Sequence, residues 1–354
     1  TLIDLTGESC AHFPFSVWSR LQREVMLDYG EKLLLPLPNQ GIAPLRQAIA
    51  DHLLAFRAMQ VDPDNILVGA GTDFLYNLLI QLLGRDKTYA VEDPGYGKIH
   101  RIYAAGGVRC ISVPMDHEGV LPHALEDAQV LHLSPAHHFP TGVVTPIGRR
   151  QELLAWAAKS DSYIIEDDYD SELRYFGKPV PALKSLDTND NVVYLGSFSS
   201  TLFPAIKISY MVLPSTMSDI FQQIKGQYTQ TCSKAEQLTL ALFMENGYYY
   251  TGIKKMRNLY AQKLQLTMQC FEKHGNSDIL PINTQSGINL TLKIKTKKSA
   301  EKLCNDAKSL GLLMIPLSEL TDQETTSLIF YYSKLPLSSI ESSIKEVLRL
   351  WQTN

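Results

Sequence analysis

Between residues 130 and 165 the chain reads Val130-Leu131-His132-Leu133, a turn-rich passage, Gly148-Arg149-Arg150 leading into Leu153, Leu154, Ala157 and Ala158, and then Tyr163-Ile164-Ile165. Both ends are short, apolar and rich in strand formers, and the middle carries apolar positions at helical spacing. Strand, crossover helix and strand in that order form the unit from which parallel sheets covered on both faces are built. The same alternation runs outward in both directions. Ile66-Leu67-Val68, Tyr89-Ala90-Val91 and Cys110-Ile111-Ser112-Val113 precede it, and Val192-Val193-Tyr194-Leu195 and Tyr210-Met211-Val212-Leu213 follow. The expected class is α/β with a mostly parallel central sheet.

Beyond about Tyr248 the texture changes. A long amphipathic segment from Ile253 to Phe271 precedes residues Ile288 to Lys295, whose alternation predicts a half-buried antiparallel strand. A helix near Ala300–Ser309, strands near Leu312–Ile315 and Leu328–Tyr332, and a last helix opened by Pro336 with Ile340, Ile344, Val347 and Trp351 on one face complete a smaller α+β unit. The expected division is an N-terminal arm over 1–35, a large unit over 36–247 and a small one over 248–354. At roughly 150 residues per domain, 354 residues suit two such units.

Lys+Arg 33 against Asp+Glu 37 leaves a net charge of −4, with no cationic excess to grip nucleic acid. No apolar run approaches the roughly 18 residues of a membrane helix. Five cysteines without a C-x-x-C pair predict a reducing compartment, with the cytoplasm as default. The start at Thr1 suggests a portion of something longer.

Four constellations carry chemistry. Gly69-Ala70-Gly71-Thr72-Asp73 follows a strand and opens an apolar helix, a geometry in which backbone N–H groups form an anion site, although it equally suits an ordinary turn. Ile165-Glu166-Asp167-Asp168-Tyr169-Asp170-Ser171-Glu172 ends a strand. It reads as a metal site, a solvated acidic loop, or one buried Asp keeping a heterocyclic nitrogen protonated with a Tyr beside it. Ser134-Pro135-Ala136-His137-His138-Phe139-Pro140-Thr141-Gly142 reads as a positioned loop in preference to a metal site, because adjacent side chains rarely converge. Gly196-Ser197-Phe198-Ser199-Ser200, with Lys207 beyond, lacks a nucleophile elbow and fits phosphate binding by hydroxyls and a cation. Glu92-Asp93-Pro94-Gly95-Tyr96 adds an aromatic.

Together with Gln40-Gly41, Leu45-Arg46 and Arg149-Arg150, these residues resemble, over essentially the whole chain, the aminotransferase-like effector domain of MocR/GabR-type bacterial transcription regulators of the GntR superfamily. That family has the fold type I architecture of pyridoxal phosphate (PLP) dependent transferases. The resemblance implies that Gly71, Thr72 and Asp73 face the cofactor phosphate, with Ser197, Ser199 and Lys207 completing the cradle. It implies that Tyr96 stacks on the pyridine ring, Asp167 pairs with its nitrogen, Tyr169 lies near the ring oxygen and His137 belongs to the cofactor site. Lys98 and Lys334 fall at or near positions where relatives carry arginines for an effector carboxylate.

The departures from the family are as informative. Ser200 stands where the Schiff-base lysine is expected, and a hydroxyl forms no imine. Lys207 replaces a phosphate-binding arginine, exchanging a bidentate fork for a point charge. The expected function is therefore a sensor that binds PLP noncovalently, or as an external aldimine with a small amino-acid effector, without efficient transamination. Homodimerisation and DNA contact through an upstream winged helix-turn-helix domain are implied, with no catalytic residue, metal or membrane expected. The alternatives are an aminotransferase carrying an engineered lysine-to-serine change and a degenerate dimerisation module without PLP.

Overall fold

The computed structural model describes residues 3–5, 13–174, 180–284, 287–317 and 324–352. After a two-residue strand β1 (Ile3–Asp4), eight strands form the larger sheet: β2 (Ile66–Gly69), β3 (Thr88–Asp93), β4 (Arg109–Asp116), β5 (Gly119–Val120), β6 (Val130–Leu133), β7 (Tyr163–Asp168), β8 (Val192–Ser197) and β9 (Ser209–Val212). Their spatial order is β2-β9-β8-β7-β6-β3-β4-β5. The β8-β7-β6-β3-β4 ladder is parallel throughout, and β9 runs antiparallel to both its neighbours. The expected mostly parallel sheet is what the chain forms. The two-residue β5 carries too little sequence to show a period and had no place in the expectation.

Covering of both faces follows from the period of two along each strand. On one face Tyr89, Val91, Ile165, Val193 and Leu195 pack under α3 (Thr72–Leu83), α4 (Gly97–Ala105) and α7 (Ser215–Ile224). On the other, Ala90, Leu131, Leu133, Ile164 and Val192 pack under Leu153 and Ala157 of α5 (Ile147–Ser160) and Leu183 of α6 (Leu183–Leu186). The crossover helix seen in the sequence is α5.

The second sheet is antiparallel, in the order β10-β11-β14-β13, from β10 (Ile279–Ile282), β11 (Leu290–Lys295), β13 (Ile315–Pro316) and β14 (Thr325–Phe330). Its core includes Leu303 and Ala307 of α10 (Ala300–Ser309) and Ile340, Ile344, Val347 and Trp351 of α11 (Ile340–Gln352). Strand β14 starts three residues before its expected position because Thr325 and Thr326 pair with Lys295 and Ile294, whereas Tyr332 falls in a short 3-10 turn.

Two elements tie the halves together. Helix α9 (Tyr248–His274) has 27 residues and is roughly 40 Å long at 1.5 Å per residue. Its Tyr249 and Ile253 belong to the core under α1 (Phe15–Tyr29), α2 (Ala43–Arg57) and α8 (Lys234–Glu245), and its Tyr260, Leu264, Cys270 and Phe271 belong to the core of the second sheet. Met256 packs against both. The expected N-terminal arm divides its packing: β1 pairs with β12 (Leu312–Leu313) of the small half, whereas Trp18, Leu21 and Val25 of α1 join the large one.

Candidate functional site

Strands β3, β6, β7 and β8 are parallel, so their C-terminal ends open on one edge of the sheet, where α/β folds place ligands. A cavity of about 300 Å³ lies there. Its wall takes Thr72 and Tyr76 from α3, Glu92 and Tyr96 from the end of β3 and its loop, Asp167, Tyr169 and Asp170 from β7 and its loop, and Ser197, Ser199 and Ser200 from β8 and beyond. Ser134 and Phe139 join from the loop after β6, and Ile288, Asn289 and Tyr331 from the smaller half.

Asp167 is built in from beneath. The Tyr76 hydroxyl donates to its carboxylate, and His132 Nε2 lies 3.2 Å from it. His132 Nδ1 in turn lies 2.6 Å from the Tyr103 hydroxyl. With Nε2–H donating to Asp167 and Nδ1 accepting from Tyr103, both ring nitrogens of His132 are satisfied, and Tyr76 and His132 share the Oδ2 oxygen of Asp167. Such support fixes the orientation of a carboxylate that is 6% exposed.

The expected run of carboxylates separates because a strand sends successive side chains to opposite faces. Glu166 accepts from the Leu183 and Lys184 amides at 2.9 and 2.8 Å on the far side of the sheet. Asp168 takes the Tyr194 hydroxyl at 2.6 Å and Arg57 at 3.1 Å, and Glu172 meets His52 at 3.0 Å. The solvated-loop reading fails, since Glu166, Asp167, Asp168 and Asp170 are all buried. Among the described residues no three His, Cys, Asp or Glu side chains group to hold a metal ion.

One end of the cavity is rich in hydroxyls. Ser197 Oγ accepts from the Ser199 amide at 3.2 Å and from Ser209 Oγ at 3.1 Å. Thr72 is the first residue of α3, preceded by Gly71 at φ +85°, a conformation that glycine adopts freely. The exposed Lys207 runs past this turn: a Cβ added to Gly71 would sit 3.8 Å from its Cδ. Helix N-terminal amides, hydroxyls and a nearby ammonium together suit an anion.

Tyr96 stands 52% exposed, its ring edge-on to Phe139 with centroids 6.0 Å apart. Glu92 is enclosed, with a tenth of its side chain exposed, and accepts the Ser134 amide at 3.0 Å. Burial, reinforced by the charge of Asp167, pushes its carboxyl up to about 8.

Several expected residues take other places. His137 lies behind the wall: Nδ1 meets Asp170 at 2.7 Å and Nε2 meets Asn283 at 2.5 Å. Burial opposes its positive form, but Asp170 and Asn283 outweigh that and raise its pKa. Lys98 bonds Asp73 at 2.6 Å, and neither side chain reaches the wall. Lys334 closes the turn Tyr332–Lys334, where Tyr331 is the neighbour that reaches the cavity. Arg149 and Arg150 are braces: Arg149 holds Asp116 at 2.9 Å, and the fully buried Arg150 donates to the Thr145, Pro135 and Pro181 carbonyls.

The polar wall residues that the sequence did not mark as site members are Tyr76, Glu92, Ser134, Asp170, Asn289 and Tyr331. Tyr76 was within reach, one helical turn beyond Thr72. Asn289 and Tyr331 had no local signal, because only the packing of the second sheet brings them here.

The family model for aminotransferase class I and II matches residues 4–323. An uncharacterised HTH-type transcriptional regulator, YdeL, of Bacillus subtilis is 33% identical over 347 residues, covering 97% of this chain and 75% of the relative. The HTH-type pyridoxine biosynthesis transcriptional regulator PdxR of Corynebacterium glutamicum is 35% identical over 247 residues, covering 70% and 54%. The probable rhizopine catabolism regulatory protein MocR of Rhizobium meliloti is 30% identical over 312 residues, covering 86% and 63%. Among solved structures, a Pyrococcus horikoshii kynurenine aminotransferase aligns with a TM-score of 0.82 at 24% identity, over 99% of this chain and 90% of that one. The Thermus thermophilus α-aminoadipate aminotransferase LysN, complexed with N-(5'-phosphopyridoxyl)-L-leucine, aligns with a TM-score of 0.84 at 22% identity, over 99% and 92%. At these identities the structural likeness carries the fold.

Proposed function

The chain belongs to the aminotransferase class I and II family, and on that premise we propose that it is the effector-sensing domain of a PLP-responsive transcription regulator, one that holds PLP without a covalent bond and without efficient transamination. The observation that carries this reading is the cavity wall itself. Ser200 lies on it, 7% exposed, and among the described residues no lysine does.

The residues present fit the cofactor. Asp167, oriented by Tyr76 and His132, would accept a hydrogen bond from a protonated ring nitrogen. Tyr96, with half its surface uncovered at the mouth, would lie on the ring, and Tyr169 would stand near the ring oxygen. The Gly71–Thr72 turn, Ser197 and Ser199 would receive the phosphate, with Lys207 supplying the cation. A volume of about 300 Å³ is at the small end of the roughly 300–1,000 Å³ of small-molecule sites. When bound, PLP supplies an aldehyde that condenses with amines and a ring that withdraws electrons. The Ser200 hydroxyl offers neither the amine that would tether it nor a base for a carbon-bound proton. Occupancy by an amino compound would be read out by the regulator, as a homodimer, through a DNA-binding segment outside residues 1–354.

The test is reduction. Borohydride treatment of the PLP-loaded protein should leave the chain's mass unchanged. Ser200→Lys should acquire one phosphopyridoxyl group and an imine absorbance. A lysine adduct in the unaltered chain would refute the noncovalent reading, and a PLP titration without saturation would refute cofactor binding altogether.

A further inference from the structure

The charge of the cavity wall bears on what it accepts beside the cofactor, and the inference rests on the PLP reading above. Three carboxyl side chains, Glu92, Asp167 and Asp170, reach the wall, and among the described residues no lysine or arginine does. Asp167 and Asp170 already have partners, the first in Tyr76 and His132 and the second in His137. Glu92 has the Ser134 amide on Oε2, with His138 Nε2 at 3.5 Å from the same oxygen, and no bonded partner on Oε1 among the described residues.

A second observation points the same way. Asn289, 8% exposed and on the wall, has a carboxamide with no hydrogen-bond partner among the described residues. Its amide atoms are open to the cavity and available to a bound polar group. The cations expected to hold an effector carboxylate are elsewhere: Lys98 is on Asp73, and Lys334 lies off the wall. A carboxylate brought here would be desolvated on a wall that carries carboxyl groups and, among the described residues, no lysine or arginine.

We propose that the site selects an amine whose free end is cationic, not an amino acid, with Glu92 of the large sheet and Asn289 of the small half receiving its ammonium group. Glu92 is the penultimate residue of β3 and Asn289 immediately precedes β11, so the pair spans the two halves of the molecule. Ammonium donates three hydrogen bonds and accepts none, which suits one carboxylate and one amide oxygen.

Three stable conjugates that differ only at the free end provide the test: the reduced phosphopyridoxyl adducts of 1,4-diaminobutane, butylamine and 4-aminobutanoate, titrated against the full chain alongside PLP. The diamine conjugate should bind about tenfold or more tighter than the carboxylate conjugate, with the butylamine conjugate between them. Glu92→Gln should shrink that ratio several-fold, and Asn289→Asp, which adds an acceptor charge at the same place, should widen it. Thermal unfolding would confirm that each variant is folded. Equal affinities, a tighter carboxylate conjugate, or a ratio indifferent to both substitutions would overturn the proposal. Failure of PLP and all three conjugates to saturate would instead overturn the cofactor reading, so the two failures are distinguishable.

Discussion

The two ends of the cavity are built by different means. The hydroxyl-rich end comes from two short stretches of the large sheet's edge, Gly71–Thr72 and Ser197–Ser200, with Lys207 alongside. The acidic end takes Glu92 and Asp170 from the large half and Asn289 and Tyr331 from the small half. A ligand on the hydroxyl residues meets the large half alone, whereas a ligand on Asn289 or Tyr331 meets the small half as well. The proposed cofactor and the proposed amine would therefore differ in what they report: the first fills a preformed site, and the second bridges the halves.

Substitutions at each end can break that contrast. The largest effect is expected from Asp167→Ala, which removes the acceptor for a ring nitrogen and strands the Tyr76 hydroxyl and His132. A PLP titration should show a loss of about 100-fold, and denaturant melts a loss of roughly 1–3 kcal/mol from the unsatisfied buried groups. Next, Lys207→Ala should weaken PLP by about tenfold while Lys207→Arg strengthens it, because a guanidinium fork engages phosphate with two bonds. Both changes should leave the preference among the three amine conjugates untouched. If the preference moves with Lys207, the two ends are not separable.

A pH series addresses the acidic end alone. In the empty protein the Glu92 carboxyl, raised to about 8, holds its proton at neutral pH, and an ammonium ligand favours the ionised form. Binding then releases a proton, so the affinity of the diamine conjugate should climb as pH rises towards about 8 and level off above it. The charges that bear on Glu92 are Asp167 and the ionisable groups nearby, His138, neutral with its pKa depressed to about 4 by burial and by His137, and Tyr169, a phenol pushed well up by burial. Neither His138 nor Tyr169 changes protonation between pH 6 and 8 on those grounds. Glu92→Gln should flatten the profile, and a profile unchanged by that substitution would detach the pH effect from this group. The smallest effect belongs to Lys98→Ala. Its ammonium is held by Asp73 on a half-exposed pair worth about 0–1 kcal/mol, so PLP affinity should move less than about twofold.

The same division governs what could be read from the residues in order. The sheet was legible because strands buried on both faces announce themselves as apolar runs, and Val130–Leu133 matches its strand residue for residue. The hydroxyl end was legible because its parts are contiguous: Thr72, Ser197, Ser199 and Ser200 all reach the wall. His137 misled because a histidine in a loop beside a site looks the same whether it faces the ligand or braces the acid that does. Lys98 misled for a related reason, since its partner Asp73 is 25 residues away and only the packing of α3 against α4 joins them. Asn289 was beyond reach because its side chain owes its place to the antiparallel sheet that follows it.

The long helix α9 can be considered as a beam clamped at both ends, Tyr249 and Ile253 in one core and Tyr260 to Phe271 in the other. A beam so held passes rotation, not slack, and the stretch between its clamps centres on Met256, which bears on both bodies. Tilting of the small half thus has a fulcrum, and the far end of the lever lies some 18 residues, roughly 27 Å, beyond it. A rotation of the small half about Met256 would therefore move the far end of α9 more than the stretch beside the pivot.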